Sequence, residues 1–321
     1  MITTMVGNYP KVAEGTYSTT LISALTRWQR KELNDAGLEQ VCQDITKTVI
    51  QEQEQTGLDL LTDGQIRWED LVTPVAKRLE GFEINGLSRW FNNNVYYRRP
   101  ILHKAPKRRG PLLVDEYRFA KGCTAKPVKA VLPGPYTVVR LSEDRHYKAE
   151  RPFAIKMAEI LNAEALALAA AGAPVIQFDE PALAYGRPNV KLAIEALNIA
   201  TKGLKATTAV STYFGGLNGA LSPLMRSNVD IIGLDVVSDP GALTALKRTK
   251  ITKALALGCV DARNTKLEPV GALQRIFRLA QRLVPSDRLY VNPNCGLEFL
   301  PHTQALAKMR RLVEAARAAN A

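Results

Sequence analysis

The sequence predicts an α/β protein, a single (β/α)8 TIM barrel of 321 residues. Eight short apolar segments alternate with helical segments along the chain, and nearly every apolar segment is followed by a polar or reactive residue. Such alternation is typical of a parallel sheet covered by helices, and a closed barrel gathers the carboxyl ends of its strands at one mouth. A doubly wound open sheet is the alternative arrangement.

Each predicted strand is a short, largely apolar run that ends in residues favouring turns. In chain order the strands are 1–6, 58–61, 128–132, 174–178, 207–211, 229–234, 252–257 and 288–291. The best defined is 174–178, which is followed by Asp179 and Glu180. Pro181 ends this strand because proline cannot continue a hydrogen-bonded ladder.

Helical segments separate these strands, with one exception. The predicted helices are 21–55, 68–79, 149–171, 189–202, 267–283 and 301–319. The segment from about 82 to 126 instead alternates, is rich in Tyr and Arg, and carries Asn92–Asn94. This pattern predicts β-hairpins inserted between strands two and three of a single domain that covers residues 1–321.

Composition narrows the possible partners. The formal charge is +12 and the pI is about 9.6, which favours anionic partners. Aromatic residues make up only 7% of the chain and no nucleic-acid motif is present, so nucleic acid is not expected. Four widely spaced cysteines, no signal peptide and no apolar run of ~18 residues predict a cytoplasmic protein away from membranes. The sequence leaves the oligomeric state open.

Polar residues at the strand ends argue for an enzyme, since a barrel would bring them to one mouth. They are Asn8, Gln65, Asp179, Tyr213, Asp235, Asp261 and Cys295. For the adjacent Asp179 and Glu180 the alternative is that one carboxylate caps the next helix and the other is solvated. Cys295 is interpreted as a site residue, with a buried structural thiol as the alternative, whereas Cys259 is interpreted as core.

Several motifs occur in order along nearly the whole chain: TTMVGNYP, LLTDGQIRWED, LPGPYT, IQFDEPAL, VDIIGLD, GCVDARNTKLE and YVNPNCGL. Together they resemble the catalytic barrel of cobalamin-independent methionine synthase. The larger enzymes carry an additional N-terminal barrel, so the chain resembles the short, single-barrel form. The resemblance implies a methyltransferase that uses a methylfolate, or in some short forms a methylcorrinoid protein, to methylate homocysteine.

The resemblance also implies a zinc ion, which converts the substrate thiol to the reactive thiolate. The family's ligands are His, Cys, Glu and Cys, and the matching positions here are Tyr213, Gly215, Asp235 and Cys295. Only Cys295 is unchanged, whereas a catalytic zinc site uses three protein ligands. We therefore predict no tightly bound cofactor and no family-type zinc, with Asp235 and Cys295 as the weak candidates for any metal. A tetrahydrofolate derivative is expected as co-substrate.

Other positions of the family site are matched in part. Asp179 matches the Asp that holds the substrate amino group, and Asp261 matches the Asp of the GCVDARN loop. Arg263 replaces a catalytic His, and a guanidinium is a poor proton donor. Asn8 and Gln65 stand where the larger enzymes use Ser and Glu for the amino acid.

These matches give the expected site. The expected catalytic residues are Asp179, Asp235, Asp261 and Cys295, and the expected substrate contacts are Asn8, Gln65, Tyr136, Glu180, Tyr213, Arg263 and Asn294. Tyr136 is the aromatic residue expected to meet a flat ring. Three functions remain open: methyl transfer to homocysteine, acid–base chemistry on a folate-like or other non-thiol substrate, and binding of a folate or a corrinoid protein without turnover.

Basic residues are dense between positions 98 and 151, and they include Lys107, Arg108 and Arg109. The first interpretation is a solvated surface. The second is an anion-binding rim near the mouth, suited to a polyglutamate tail or an acidic partner protein.

Overall fold

The computed structural model describes residues 1–10, 16–91, 96–217 and 219–320, so the predicted segment Asn92–Asn94 lies outside the described residues. The helices are α1 (Thr16–Gln29), α2 (Asp35–Thr56), α3 (Thr73–Ala76), α4 (Val114–Gly122), α5 (Pro135–Leu141), α6 (Glu150–Ala170), α7 (Val190–Ala200), α8 (Leu221–Met225), α9 (Ala242–Arg248), α10 (Val270–Gln281) and α11 (His302–Asn320). The strands are β1 (Ile2–Thr3), β2 (Glu80–Arg89), β3 (Tyr96–Lys107), β4 (Ala130–Pro133), β5 (Glu143–Asp144), β6 (Val175–Asp179), β7 (Thr207–Ser211), β8 (Ile231–Asp235), β9 (Ala254–Val260) and β10 (Leu289–Pro293).

The chain forms two compact units. Unit 1 comprises Met1–Arg67, Arg118–Lys129 and Leu257–Ala321, and unit 2 comprises Trp68–Tyr117 and Ala130–Ala256. Whether residues 1–321 form a single domain stays a prediction.

Unit 1 is built on short parallel pairings. Strand β1 pairs with β10, with Ile2 opposite Tyr290. The predicted second strand, 58–61, forms only isolated parallel bridges, from Leu60 to Thr4 and from Leu61 to Val128. It nevertheless places the following turn, 62–65, beside the turn that follows β1, because Thr62 Oγ1 donates a hydrogen bond to the carbonyl oxygen of Gly7 (2.9 Å).

The predicted helix 21–55 is two helices. Lys31 has a φ of 61°, which is incompatible with a continuous α-helix. Asn34 then starts α2, since its side chain accepts a hydrogen bond from the Gly37 N–H (2.8 Å) as an N-cap. Gly57 ends α2 in the left-handed conformation (φ 88°).

Unit 2 contains the parallel strand order β4-β6-β7-β8. In register, Pro133 lies opposite Asp179 and Asp179 lies opposite Ser211. Strands β4, β6 and β8 are buried along their whole length, which is why they are apolar throughout instead of alternating. Their carboxyl ends therefore lie side by side.

The segment predicted as β-hairpins is only partly β. Strands β2 and β3 are antiparallel, with Phe82 opposite Leu102, but residues 114–122 form helix α4. Asp115 and Glu116 in its first turn stabilise the helix N-terminus, a local signal that the β-rich prediction overlooked. Whether the segment is an insertion stays a prediction.

Within the predicted helix 68–79, the structure forms only the short helix α3. The Asp70 carboxylate accepts hydrogen bonds from the N–H groups of Val72 and Thr73 and so starts the helix late. Among the described helices, none combines the length and apolar character that a membrane crossing requires.

Candidate active site

Asp179 ends strand β6 and is 2% exposed. Gln177 Nε2 donates to its Oδ1 (2.7 Å), and the Tyr213 hydroxyl donates to its Oδ2 (3.2 Å). Gln177 lies two residues earlier on the same face of the strand. These two hydrogen bonds fix the orientation of the Asp179 carboxylate.

Glu180 is fully buried, and its side chain binds backbone N–H groups. Its carboxylate accepts hydrogen bonds from the Tyr136 N–H (2.9 Å), the Thr137 N–H (2.8 Å) and the Thr137 hydroxyl (2.6 Å) at the start of α5. A Cβ on Gly134 would lie 2.1 Å from the Glu180 side chain, so only glycine fits there. Burial raises the pKa of Glu180 to about 7. The alternative, in which one carboxylate caps the next helix and the other is solvated, is therefore wrong: both acids are buried, and Glu180 binds the start of the preceding helix α5.

Tyr136, expected to contact a flat ring, is completely buried in unit 2. Its hydroxyl accepts hydrogen bonds from the Asn189 N–H (2.8 Å) and from Arg140 (3.3 Å). The structure therefore shows a packing residue at this position, and Glu180 likewise contacts protein groups where a substrate contact was expected.

Asp235 ends strand β8 and organises the two adjacent loops. Its Oδ2 accepts from the Phe214 N–H (3.1 Å), and its Oδ1 accepts from the N–H groups of Val237 (3.1 Å) and Ser238 (2.8 Å). Both carboxylate oxygens are thus engaged by backbone, which fixes the loop that carries Tyr213.

Three of the family's zinc-ligand positions, Tyr213, Gly215 and Asp235, lie in unit 2, and their side chains are not arranged to bind zinc. The Tyr213 hydroxyl is directed at Asp179, and the Asp235 oxygens are engaged as described. A side chain at position 215 would meet the Ala184 carbonyl oxygen, 2.7 Å from the Cβ. No group of three or more His, Cys, Asp or Glu side chains suited to a metal occurs among the described residues. Whether the protein binds zinc stays a prediction.

In unit 1 the loop of Asn8 contacts the loop of Cys295. The Leu297 N–H donates to the Asn8 carbonyl oxygen (3.0 Å), and a Cβ on Gly296 would lie 2.9 Å from the Cβ of Asn8. Cys295 is buried. The sequence motifs GNYP and NPNCGL are therefore neighbours, as expected of two strand ends.

The GCVDARN loop is tied to the same region. The Asn294 side chain accepts from the Ala262 N–H (2.9 Å), and Asp261 Oδ1 accepts from the Arg263 N–H (2.9 Å). Asn294 therefore positions the loop of Asp261. Arg263 is exposed.

Glu268 is a residue that sequence reasoning missed. It accepts from the Asp261 N–H (2.8 Å) and pairs with the fully buried Lys308 (2.9 Å). Gln177 was missed as well. Side chains two residues apart on a strand lie on the same face, so the position of Gln177 could have indicated its contact with Asp179.

Cys259 lies in strand β9 and is a core residue in the structure, in line with its interpretation. Burial raises the pKa of its thiol to about 12, so it stays protonated at neutral pH. Burial therefore disfavours the thiolate, which is the reactive form of the side chain.

Gln65 is 1% exposed and adopts a left-handed backbone conformation (φ 50°). Its Nε2 has no hydrogen-bond partner among the described residues. The structure thus brings Asn8, Asp261, Asn294 and Cys295 into one network of loops in unit 1 and joins Asp179 to Tyr213 in unit 2. The expected convergence of all strand ends on one mouth stays a prediction.

The basic segment is partly neutralised. Arg108 pairs with the completely buried Glu164 (2.8 Å), and Arg109 pairs with Glu80. Two of the three charges proposed for an anion-binding rim are therefore engaged by carboxylates of unit 2, which favours the surface interpretation.

Comparison with known proteins gives consistent matches. The family model described as the catalytic domain of cobalamin-independent synthase matches residues 1–318. A protein of Sulfurisphaera tokodaii named methionine synthase is 30% identical over 97% of this chain and 90% of its own length. A Bacillus licheniformis protein named 5-methyltetrahydropteroyltriglutamate–homocysteine methyltransferase is 30% identical. That alignment spans 99% of this chain but only 42% of the Bacillus protein.

Solved structures agree. A B12-independent methionine synthase from Shewanella sp. W3-18-1, in complex with selenomethionine, aligns with a TM-score of 0.84 and 26% identity over 99% of this chain and 97% of that one. A Listeria monocytogenes structure aligns with a TM-score of 0.79 at 17% identity over 98% of this chain and 96% of that one, which supports the fold alone. These similarities confirm the predicted fold class and the predicted enzyme class, a methyltransferase. The chain belongs to the cobalamin-independent methionine synthase family.

Proposed function

We propose that this enzyme transfers a methyl group from a methyltetrahydropteroyl donor to the sulfur of homocysteine without the family's zinc. The observation that carries the proposal is the buried Asp179 carboxylate, oriented by Gln177 and Tyr213 at the end of β6. This is the position to which the resemblance assigns the substrate amino group. A fixed carboxylate binds an ammonium by charge-assisted hydrogen bonds, which are roughly twice as strong as neutral ones.

The donor is proposed to be a folate. The family is described as cobalamin-independent, which favours a pterin donor over a methylcorrinoid protein. The name of the Bacillus licheniformis relative also specifies a methyltetrahydropteroyl compound as substrate.

Activation of the thiol must then come from elsewhere. A free thiol has a pKa of about 8.5, and only its thiolate is nucleophilic. In the absence of a family-type metal site, the fraction of thiolate limits the reaction near neutral pH. We therefore expect the rate to rise between pH 7 and about 8.5 in proportion to the thiolate.

The test is methionine formation from homocysteine, with methyltetrahydrofolate triglutamate and a methylcorrinoid protein as competing donors. Asp179→Asn should lower kcat/KM by about 100-fold with the folate donor, because a hydrogen bond to a charged group contributes roughly 1.5–3 kcal/mol. Asp287→Asn, an exposed matched substitution, should leave it unchanged. Turnover with the corrinoid donor alone would contradict the proposed donor.

Replacement of the ligand positions at 213 and 215 favours one further candidate, a protein that binds these molecules without turnover. Calorimetry with methyltetrahydrofolate and homocysteine separates the two. Binding of both compounds without methionine formation at any pH would support the binding protein.

A further inference from the structure

A lysine on helix α11 is completely buried within unit 1. The Lys308 side chain has no exposed surface, and lysine is almost never fully buried unless it is paired. Its Nζ donates to both carboxylate oxygens of Glu268 (2.9 and 3.1 Å) and to the Lys266 carbonyl oxygen (2.6 Å). Three hydrogen bonds match the three donors of an ammonium. The cation is therefore held by one short segment, residues 266–268.

Fold stability alone does not account for this ion pair. Moving two charges out of water costs free energy, and apolar residues of similar volume often stabilise a protein as well or better. The residues one helical turn away on α11, Ala305 and Leu312, are themselves apolar and fully buried. A methionine at position 308 would continue this apolar face. The ion pair therefore points to a role that a hydrocarbon side chain cannot fill.

The Glu268 carboxylate joins this lysine to the loop that follows β9. Its Oε1, which accepts from Lys308, also accepts from the Asp261 N–H (2.8 Å). The Glu268 carbonyl oxygen accepts from Arg311 (2.8 Å), so α11 holds Glu268 at two points. Glu268 thus fixes the backbone of Asp261 from seven positions further along the chain.

The two residues after Asp261 are held just as closely. The Ala262 N–H donates to the Asn294 side chain (2.9 Å), and the Arg263 N–H donates to Asp261 Oδ1 (2.9 Å). Three successive N–H groups therefore have three different side-chain acceptors. Asp261 is half-buried and directly follows β9, and barrel enzymes hold their catalytic groups at the carboxyl ends of strands. A catalytic group must be held to within about 0.5 Å, which a solvated loop does not provide.

We propose that Glu268 and Lys308 are positioning residues, which act on the reaction by fixing the Asp261 carboxylate. Lys308 holds the Glu268 carboxylate, and Glu268 in turn holds the Asp261 N–H. Neither residue needs to touch the substrate. This inference rests on the proposed function, because it takes Asp261 to contribute to methyl transfer.

Two double variants separate positioning from stability. Glu268→Gln/Lys308→Met removes both charges but keeps a side-chain oxygen for the Asp261 N–H. Glu268→Met/Lys308→Met removes both charges and that oxygen. The second variant should lower kcat for methionine formation by about 10- to 100-fold, because a small displacement of a catalytic group costs that much. The first is the conservative replacement and should keep kcat within about 3-fold of wild type.

Thermal unfolding provides the control for stability. Lys308→Met alone leaves the Glu268 carboxylate without its counter-charge and should lower the Tm by about 5 °C or more. Both double variants should have a higher Tm than this single variant, because neither retains an unpaired charge at the site.

A third comparison tests whether the effect passes through Asp261. Asp261→Asn should itself lower kcat. Adding Glu268→Met/Lys308→Met to Asp261→Asn should then cause no further loss, because residues that act through one another are not additive.

Three results would overturn the inference while leaving the proposed function intact. They are equal kcat values in the two double variants, a wild-type kcat in Asp261→Asn, and a further loss when the substitutions are combined. Failure of Glu268→Met/Lys308→Met to fold at the assay temperature would make the pair a requirement of the fold and would also overturn the inference. If the wild-type protein formed no methionine, the proposed function would fail and the inference with it.

Discussion

The end of strand β6 and the turn at 62–65 both carry buried polar side chains, but they are satisfied differently. In unit 2, Glu180 accepts three hydrogen bonds from the start of α5, and Asp179 accepts two from neighbouring side chains. In unit 1, Gln65 Nε2 has no partner in the described chain. Glu180 therefore holds the start of α5 in place, whereas the Gln65 carboxamide carries a donor that no described residue uses.

The largest effect should come from the most completely saturated acid, Glu164. It accepts from Arg108 and from the N–H groups of Leu112 and Leu113 within unit 2. Glu164→Gln leaves Arg108 without its counter-charge and should lower the free energy of unfolding by about 3–5 kcal/mol. Glu159→Gln on the same helix is exposed and should change it by less than about 0.5 kcal/mol in urea denaturation. If the two substitutions lowered the free energy of unfolding equally, the number of hydrogen bonds that an acid accepts would not identify the acids that stabilise the fold.

Glu180 should make stability depend on pH. Its pKa is raised from 4.5 to about 7 by burial, so the folded protein keeps a proton that the unfolded chain has released. Its contribution is present below pH 4.5 and is lost as pH rises to about 7, a change of roughly 3 kcal/mol. Glu180→Gln cannot titrate, so wild type should lose stability relative to the variant between pH 4.5 and about 7 in urea denaturation. Parallel pH profiles would contradict this assignment.

A smaller effect is expected at the Gln65 turn. Gly7→Ala places a methyl group against the Gln65 carboxamide, a flexible side-chain end, so the fold should tolerate it. Moving the carboxamide should lower the free energy of unfolding by less than about 1 kcal/mol in urea denaturation. The same substitution in a Gln65→Ala background should have no effect on stability, because the carboxamide is then absent. Additive losses in the double variant would separate Gly7 from Gln65.

Local patterns predicted much of the fold and several site positions. Strand 207–211 and the long helix that became α6 follow from local apolar and helical patterns. Asp179, Asp235 and Cys295 do end or follow strands, which the motif positions indicated.

The remaining features depend on contacts between distant residues. The cap that Glu180 gives α5 and the bond from Tyr213 to Asp179 join positions 34 or more residues apart, which no local pattern encodes. The orphaned Nε2 of Gln65 is a property of packing, so the sequence could indicate only that the position had changed from Glu to Gln.

The central claim is methyl transfer to homocysteine without the family's zinc site. The most direct measurement is methionine formation from methyltetrahydrofolate triglutamate by protein treated with a chelator, with its zinc content determined by mass spectrometry. Zinc-free protein should form methionine at an undiminished rate that rises toward pH 8.5. Loss of activity on chelation and its return with one zinc per chain would contradict it.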